Sequence, residues 1–154
     1  MNRGLGTQLR HLIELLDGAV ADSYARAGLA YRPRYTPVMR ALIAQEPLTI
    51  GQIARQAGMT QPAATQTVAL MVKEGLVSAE AGDADGRQRL VRLTGQGRSL
   101  LPRLQACWRA TQHAANALDA ELPYPLSKVL AEAIAALERH PFAERISEQT
   151  TLTS

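Results

Sequence analysis

Thr60, Gln61, Pro62, Thr65 and Gln66 form a short run of polar, uncharged residues with alanines between them. A glutamine can pair in bidentate fashion with adenine N6 and N7. A threonine can bond a base edge or meet a thymine methyl. Further along, the turn-rich stretch Ala-Gly-Asp-Ala-Asp-Gly, which ends in Asp85 and Gly86, leads into Arg87, with Arg89 and Arg92 just after. An arginine at a loop tip can enter a narrow minor groove, where the negative potential is strongest. Asp85 stands close enough in sequence to brace Arg87 through charge-assisted hydrogen bonds. The plainer alternatives are a solvated helix face and a surface ion pair worth little. A solvent face ordinarily carries more Glu and Lys than this one, which favours contact with a nucleic-acid groove.

Such chemistry needs elements to present it, and the periodicity supplies them. Ala64, Val68, Met71 and Val72 form an inward stripe, so Thr60–Glu74 reads as a helix capped by Thr60. Its outer face then carries Gln61, Pro62, Thr65, Gln66, Ala69 and Lys73. Thr49 and Gln52 make a capping box for the preceding helix, whose inner face is Ile50, Ile53, Ala54 and Ala57. Gly58 ends that helix, because glycine takes the left-handed conformation readily. Two short helices joined by a glycine turn are the helix-turn-helix arrangement, in which the second helix enters the major groove.

The flanking segments follow the same reading. Leu5, Leu9, Leu12, Ile13, Leu16 and Val20 make a first amphipathic helix, left at Gly28 and Pro33. Thr36-Pro37 starts a second helix that Pro47 stops. Leu76–Glu80 and Gln88–Thr94 read as the two strands of a hairpin, with Val91 and Leu93 on one face. Thr94 caps a long fifth helix bearing Leu100, Leu104 and Trp108, bent at Pro102. Pro123 and Pro125 introduce a last helix with Leu126, Val129, Leu130, Ala133, Ile134 and Leu137 on one side. The expected class is mainly α with a β-hairpin wing: a winged helix-turn-helix plus a helical dimerisation region.

Charge is unevenly spread. The 154 residues carry a net +3, yet residues 32–109 alone hold eleven Lys or Arg and five acids, whereas residues 110–154 hold three and six. A basic centre between neutral and acidic ends points to a polyanion partner for the centre. At 46% hydrophobic and 20% charged residues, the composition is globular. One cysteine, Cys107, permits no intrachain disulfide and fits a reducing cytoplasm. It lies between Leu104 and Trp108 and reads as structural. No signal-peptide pattern opens the chain, and no run approaches the ~18 apolar residues of a membrane span. Cys107 and His113 do not share a helical face, and no HExxH or CxxC motif occurs, so neither a metal nor a cofactor is expected. No phosphate loop, nucleophile elbow or paired-carboxylate motif suggests catalysis.

The run LTIGQIARQAGMTQPAATQTVALMVKEGLVSAEAGDADGRQRLVRLTGQG, residues 48–97, resembles the MarR family. The pieces that carry the likeness are IARQAGMTQPAATQ, KEGLV and DGRQRLVRLTGQG, with Asp85, Arg87, Leu93, Thr94 and Gly97 on the family's wing pattern. The likeness spans about residues 5–140. It implies a single unit over residues 1–154, with a winged DNA-binding lobe at 33–94 and a helical dimerisation region at 4–28 and 95–140. It implies a homodimer bound to a pseudo-palindromic duplex, with Arg87 in the minor groove, Asp85 bracing it, Arg89 on the wing, and Thr60, Gln61, Pro62, Thr65 and Gln66 at the bases. The expected function is a sequence-specific cytoplasmic transcription regulator, a repressor released by a small aromatic or anionic effector. The alternative is a winged-helix protein used for protein–protein contact. Tyr35, Met39 and Trp108 are candidate effector liners and Arg40 a candidate anion partner, although core packing explains Met39 and Trp108 equally well. Two features depart from the family pattern. The wing lacks a proline before the aspartate, with Gly86 where a basic residue is common, and the early recognition helix carries no arginine.

Overall fold

The computed structural model describes residues 3–82 and 88–152. The elements in chain order are α1 (Leu5–Arg26), a 3-10 turn (Pro33–Tyr35), α2 (Thr36–Ala44), β1 (Leu48–Thr49), α3 (Ile50–Ala57), α4 (Gln61–Lys73), β2 (Val77–Ala81), β3 (Arg89–Leu93), α5 (Gly95–Ser99), α6 (Leu101–Glu121), α7 (Leu126–Arg139) and α8 (Phe142–Leu152). They fall into two compact units, Met1–Trp108 and Arg109–Ser154.

The first unit holds the core. Tyr35, Val38, Met39 and Leu42 from the 3-10 turn and α2, Ile53 from α3, Ala64, Val68 and Met71 from α4, and Val91 from β3 pack together almost without exposure, along with Leu104 of α6. Tyr24, Tyr31 and Tyr35 stack edge to face in series, with ring centroids 4.9 and 5.6 Å apart. Burial pushes the Tyr31 hydroxyl well above the ordinary tyrosine range, partly offset by its hydrogen bond with Thr36.

The sheet is antiparallel, in the order β1-β3-β2. The hairpin of the sequence reading thus gains a third strand, because Leu48 and Thr49 pair with Val91 and Leu90 before α3 begins. Opposite it, Val77 pairs with Leu93 and Ala81 with Arg89.

Three expectations need correction. The fifth helix is two: α5 ends at Ser99 and α6 starts at Leu101. Pro102 has no N–H to donate back into the preceding turn, so the ladder breaks there instead of bending. The inward stripe of α4 takes Thr67, 1% exposed, in place of Val72, 41% exposed. Both flank the stripe of Ala64, Val68 and Met71. Thr67 can be buried because Arg34 Nη2 donates to its hydroxyl at 3.4 Å. Finally, a helix follows α7: α8 begins after Pro141, which closes the α7 pattern.

In the second unit Asp119, near the end of α6, caps the start of α7. The Ser127 amide donates to its carboxylate at 3.2 Å and the Ser127 hydroxyl donates to its other oxygen. The Ser127 hydroxyl is the main reason the Asp119 carboxyl lies below its ordinary pKa. α7 and α8 contain no buried residue. Among the described residues, no helix is long and apolar enough to cross a membrane.

Candidate nucleic-acid interface

α3 and α4 are set by local chemistry. The Thr49 hydroxyl accepts from the Gln52 amide at 3.2 Å, and the Thr49 amide donates to Gln52 Oε1 at 2.8 Å, which completes the capping box. Gly58 closes α3 at φ 64°, a conformation that would strain any residue with a Cβ. Met59 N then donates to the Ala54 carbonyl at 2.9 Å. Thr60 caps α4, its hydroxyl accepting from the Ala63 amide at 3.3 Å. Both helices of the motif therefore begin and end where the sequence says they should.

The wing is anchored at its base. The Thr94 hydroxyl accepts from the Gly97 amide at 3.0 Å and donates to the Gly75 carbonyl at 2.6 Å. A Cβ on Gly97 would stand 2.2 Å from the Leu76 carbonyl oxygen. The Leu-Thr-x-x-Gly signature is thus a cap followed by a close backbone approach.

Between α4 and the wing runs a groove of about 740 Å³. Gln61 and Thr65 reach it from α4, Arg55 from α3, and Gln88 and Arg89 from the wing. Two cations and several amide and hydroxyl groups line it, and among the described residues no acid does. Pro62 and Gln66 are exposed on the neighbouring strip of α4, outside the groove lining. The Thr65 hydroxyl donates to the Gln61 carbonyl at 2.9 Å. Asp85 and Arg87 lie outside the described residues. Arg55 was not foreseen, although its place on α3, on the side away from Ile53 and Ala54, marks it as outward-facing.

The candidate effector residues divide into two core side chains and one stacked pair. Tyr35 and Met39 are fully buried. Among the described residues, no hydrogen bond of standard geometry reaches the Tyr35 hydroxyl. Burial raises its pKa first, and the nearby Glu74 carboxylate raises it further. Arg40 is exposed, and its guanidinium sits 4.5 Å above the centre of the Trp108 ring. Trp108 Nε1 donates to the Tyr24 hydroxyl at 3.0 Å. Arg40 also lines a shallow cavity of about 420 Å³ with Thr36, Ala41 and Gln56. Cys107 is half-buried.

Residues 31–88, which hold the helix-turn-helix and enter the wing, match the sequence model of the MarR family. Over that stretch the chain is similar to the MarR family. That family is one of DNA-binding transcription regulators, not of enzymes. Solved MarR-type structures share the fold. The chain is similar to the M. tuberculosis transcriptional regulator MOSR, solved in complex with DNA, at 21% identity over 91% of this chain and 100% of that one, with a TM-score of 0.72. It is similar to the PcaV regulator of Streptomyces coelicolor, solved with its natural ligand, at 22% identity over 91% and 98%, with a TM-score of 0.62. A MarR family regulator from Silicibacter pomeroyi is 28% identical over 86% and 93%, with a TM-score of 0.59. A comparison with curated protein sequences gave no match.

Proposed function

We propose that this chain is a homodimeric, sequence-specific DNA-binding repressor whose α4 enters the major groove while the wing follows the adjacent minor groove. The observation that carries this reading is the groove in which Gln61, Thr65, Arg55 and Arg89 converge, with no acid in its lining among the described residues. Cations contact phosphates and hold the register, while Gln61 and Thr65, with Gln66 and Pro62 beside them, read base edges. Thr60 starts the helix that carries them. Arg87 is assigned the minor-groove contact, and Asp85 its brace, on the family's wing pattern alone. The DNA-bound state of MOSR supports the partner class.

The winged lobe is residues 33–94, and residues 4–28 and 95–140 are the dimerisation segments. Exposed apolar side chains on α1 (Leu5, Ile13, Leu15, Leu16) and on α7 (Val129, Ile134, Leu137) support self-association. The ligand-bound state of PcaV supports release by a small effector. Arg40, held on Trp108, is the cation that an anionic effector would meet.

The test is selection of bound duplexes from random sequence by the purified chain. A pseudo-palindrome with half-site centres about 10 bp apart is expected. Gln61→Ala and Gln66→Ala should each change base preference at a single half-site position, at about 1–3 kcal/mol. Recovery of no enriched sequence would overturn the reading and favour a winged helix used for protein contact.

A further inference from the structure

Glu46 lies just beyond α2, and its side chain is 19% exposed although no sequence motif marks it. One carboxylate oxygen accepts from the Leu93 amide at 2.9 Å, and the other pairs with Arg98 of α5. Register explains why the acceptor is needed. In β3 the even-numbered backbone groups bond toward β2: Gly82 N donates to the Gln88 carbonyl at 2.8 Å, and Thr94 N donates to the Leu76 carbonyl at 3.1 Å. Backbone polar groups alternate sides along a strand, so the odd-numbered amides face β1. β1 pairs Thr49 with Leu90 and Leu48 with Val91, and ends there at Pro47. One more pair of residues would set Glu46 opposite Leu93. The strand stops short, and the Leu93 amide would be left without a ladder partner. The Glu46 side chain supplies the missing oxygen.

We propose that Glu46 is a positioning residue for the wing: its carboxylate stands in for the absent strand and fixes the direction in which β3 delivers Arg89 to the DNA. This rests on the DNA-binding reading. The bond sits at the base of β3, and Arg89 lies at the far end, about 13 Å away at ~3.3 Å per residue. A tilt of about 5° at the base would move Arg89 by about 1 Å, enough to lose a directed hydrogen bond. The ion pair also offsets the charge of Arg98, which is half exposed. An unpaired cation there would add affinity for any phosphate backbone, without regard to sequence.

Two substitutions separate these effects. Glu46→Gln and Glu46→Met both release Arg98, but only glutamine keeps an oxygen for the Leu93 amide. The full-length chain is measured in two ways: hydrogen exchange at the Leu93 amide without DNA, and the ratio of affinities for a duplex selected by the wild type and a scrambled duplex of equal composition. Glu46→Met should speed exchange at Leu93 and lower the ratio, each by about tenfold or more. Glu46→Gln should hold both within about twofold of wild type. Where methionine prevents folding, Glu46→Asp replaces it. Its carboxylate falls a methylene short of the amide, and the same shifts are expected in smaller measure. An unchanged ratio with faster exchange would overturn the positioning role. Unchanged exchange in Glu46→Met would overturn the anchor itself. A wild-type chain that binds neither duplex would instead overturn the DNA reading, while the exchange comparison would still decide whether the anchor exists.

Discussion

The winged lobe and the terminal helices solve opposite problems. In the lobe, short elements close on one another: α2, α3 and α4 each place at least two residues in the core, and the sheet seals one side. The terminal helices are far less covered. α1 buries only Tyr24, and α7 and α8 bury nothing. Ile13, Leu16, Ile134 and Phe142 are each about half exposed or more. Apolar faces of this kind are costly in water and mark an interaction surface. The lobe covers its own apolar side chains, whereas the terminal helices leave theirs exposed, which is the basis for proposing that they mediate assembly.

The comparison can be broken most forcefully at the helix faces. Ile13→Glu combined with Ile134→Glu should give monomers by light scattering at micromolar concentration. Each aliphatic side chain withdrawn from an interface contributes about 1.5–3 kcal/mol, and a two-fold axis doubles every change. The lobe should stay folded by near-ultraviolet circular dichroism. An unchanged dimer would mean that these faces are covered by something else.

Within the lobe, Gly97→Ala should cost about 3 kcal/mol in chemical denaturation, because the new methyl would collide with the Leu76 carbonyl. Thr49→Ala should cost about 1 kcal/mol by removing the α3 capping box. Neither should shift the monomer–dimer balance, which keeps the two regions distinct. Smallest of all, Arg40→Gln should cost about 0.5 kcal/mol and alter the fluorescence of Trp108, the lone tryptophan, by removing the cation over its ring.

The same contrast explains how far the sequence could be read. Thr49, Gln52, Gly58 and Thr60 were legible because caps and left-handed exits are local signals, each decided within about four residues. Thr67 was not, since a 3.6-residue period places both flanks of a stripe at equal depth, and only the approach of Arg34 decides between them. Glu46 was hidden for a related reason: its role depends on a strand register that joins residues 47 positions apart. Arg55 and Arg89 could be recognised as exposed bases, but their convergence with Gln61 and Thr65 is a tertiary fact. The apolar periodicity of α1 and α7 was plain, although periodicity alone does not say what covers the faces.

In the proposed dimer, two α4 helices read one duplex together. The direct measurement is equilibrium binding to a selected duplex across a salt series, repeated with five base pairs inserted between the half-sites. Log affinity should fall with log salt at about −0.9 per phosphate contacted, with several contacts per dimer. Affinity should drop sharply on the altered duplex, since half a turn moves the second half-site to the opposite face. Equal affinity and equal salt slope on the two duplexes would contradict symmetric readout by the pair of recognition helices.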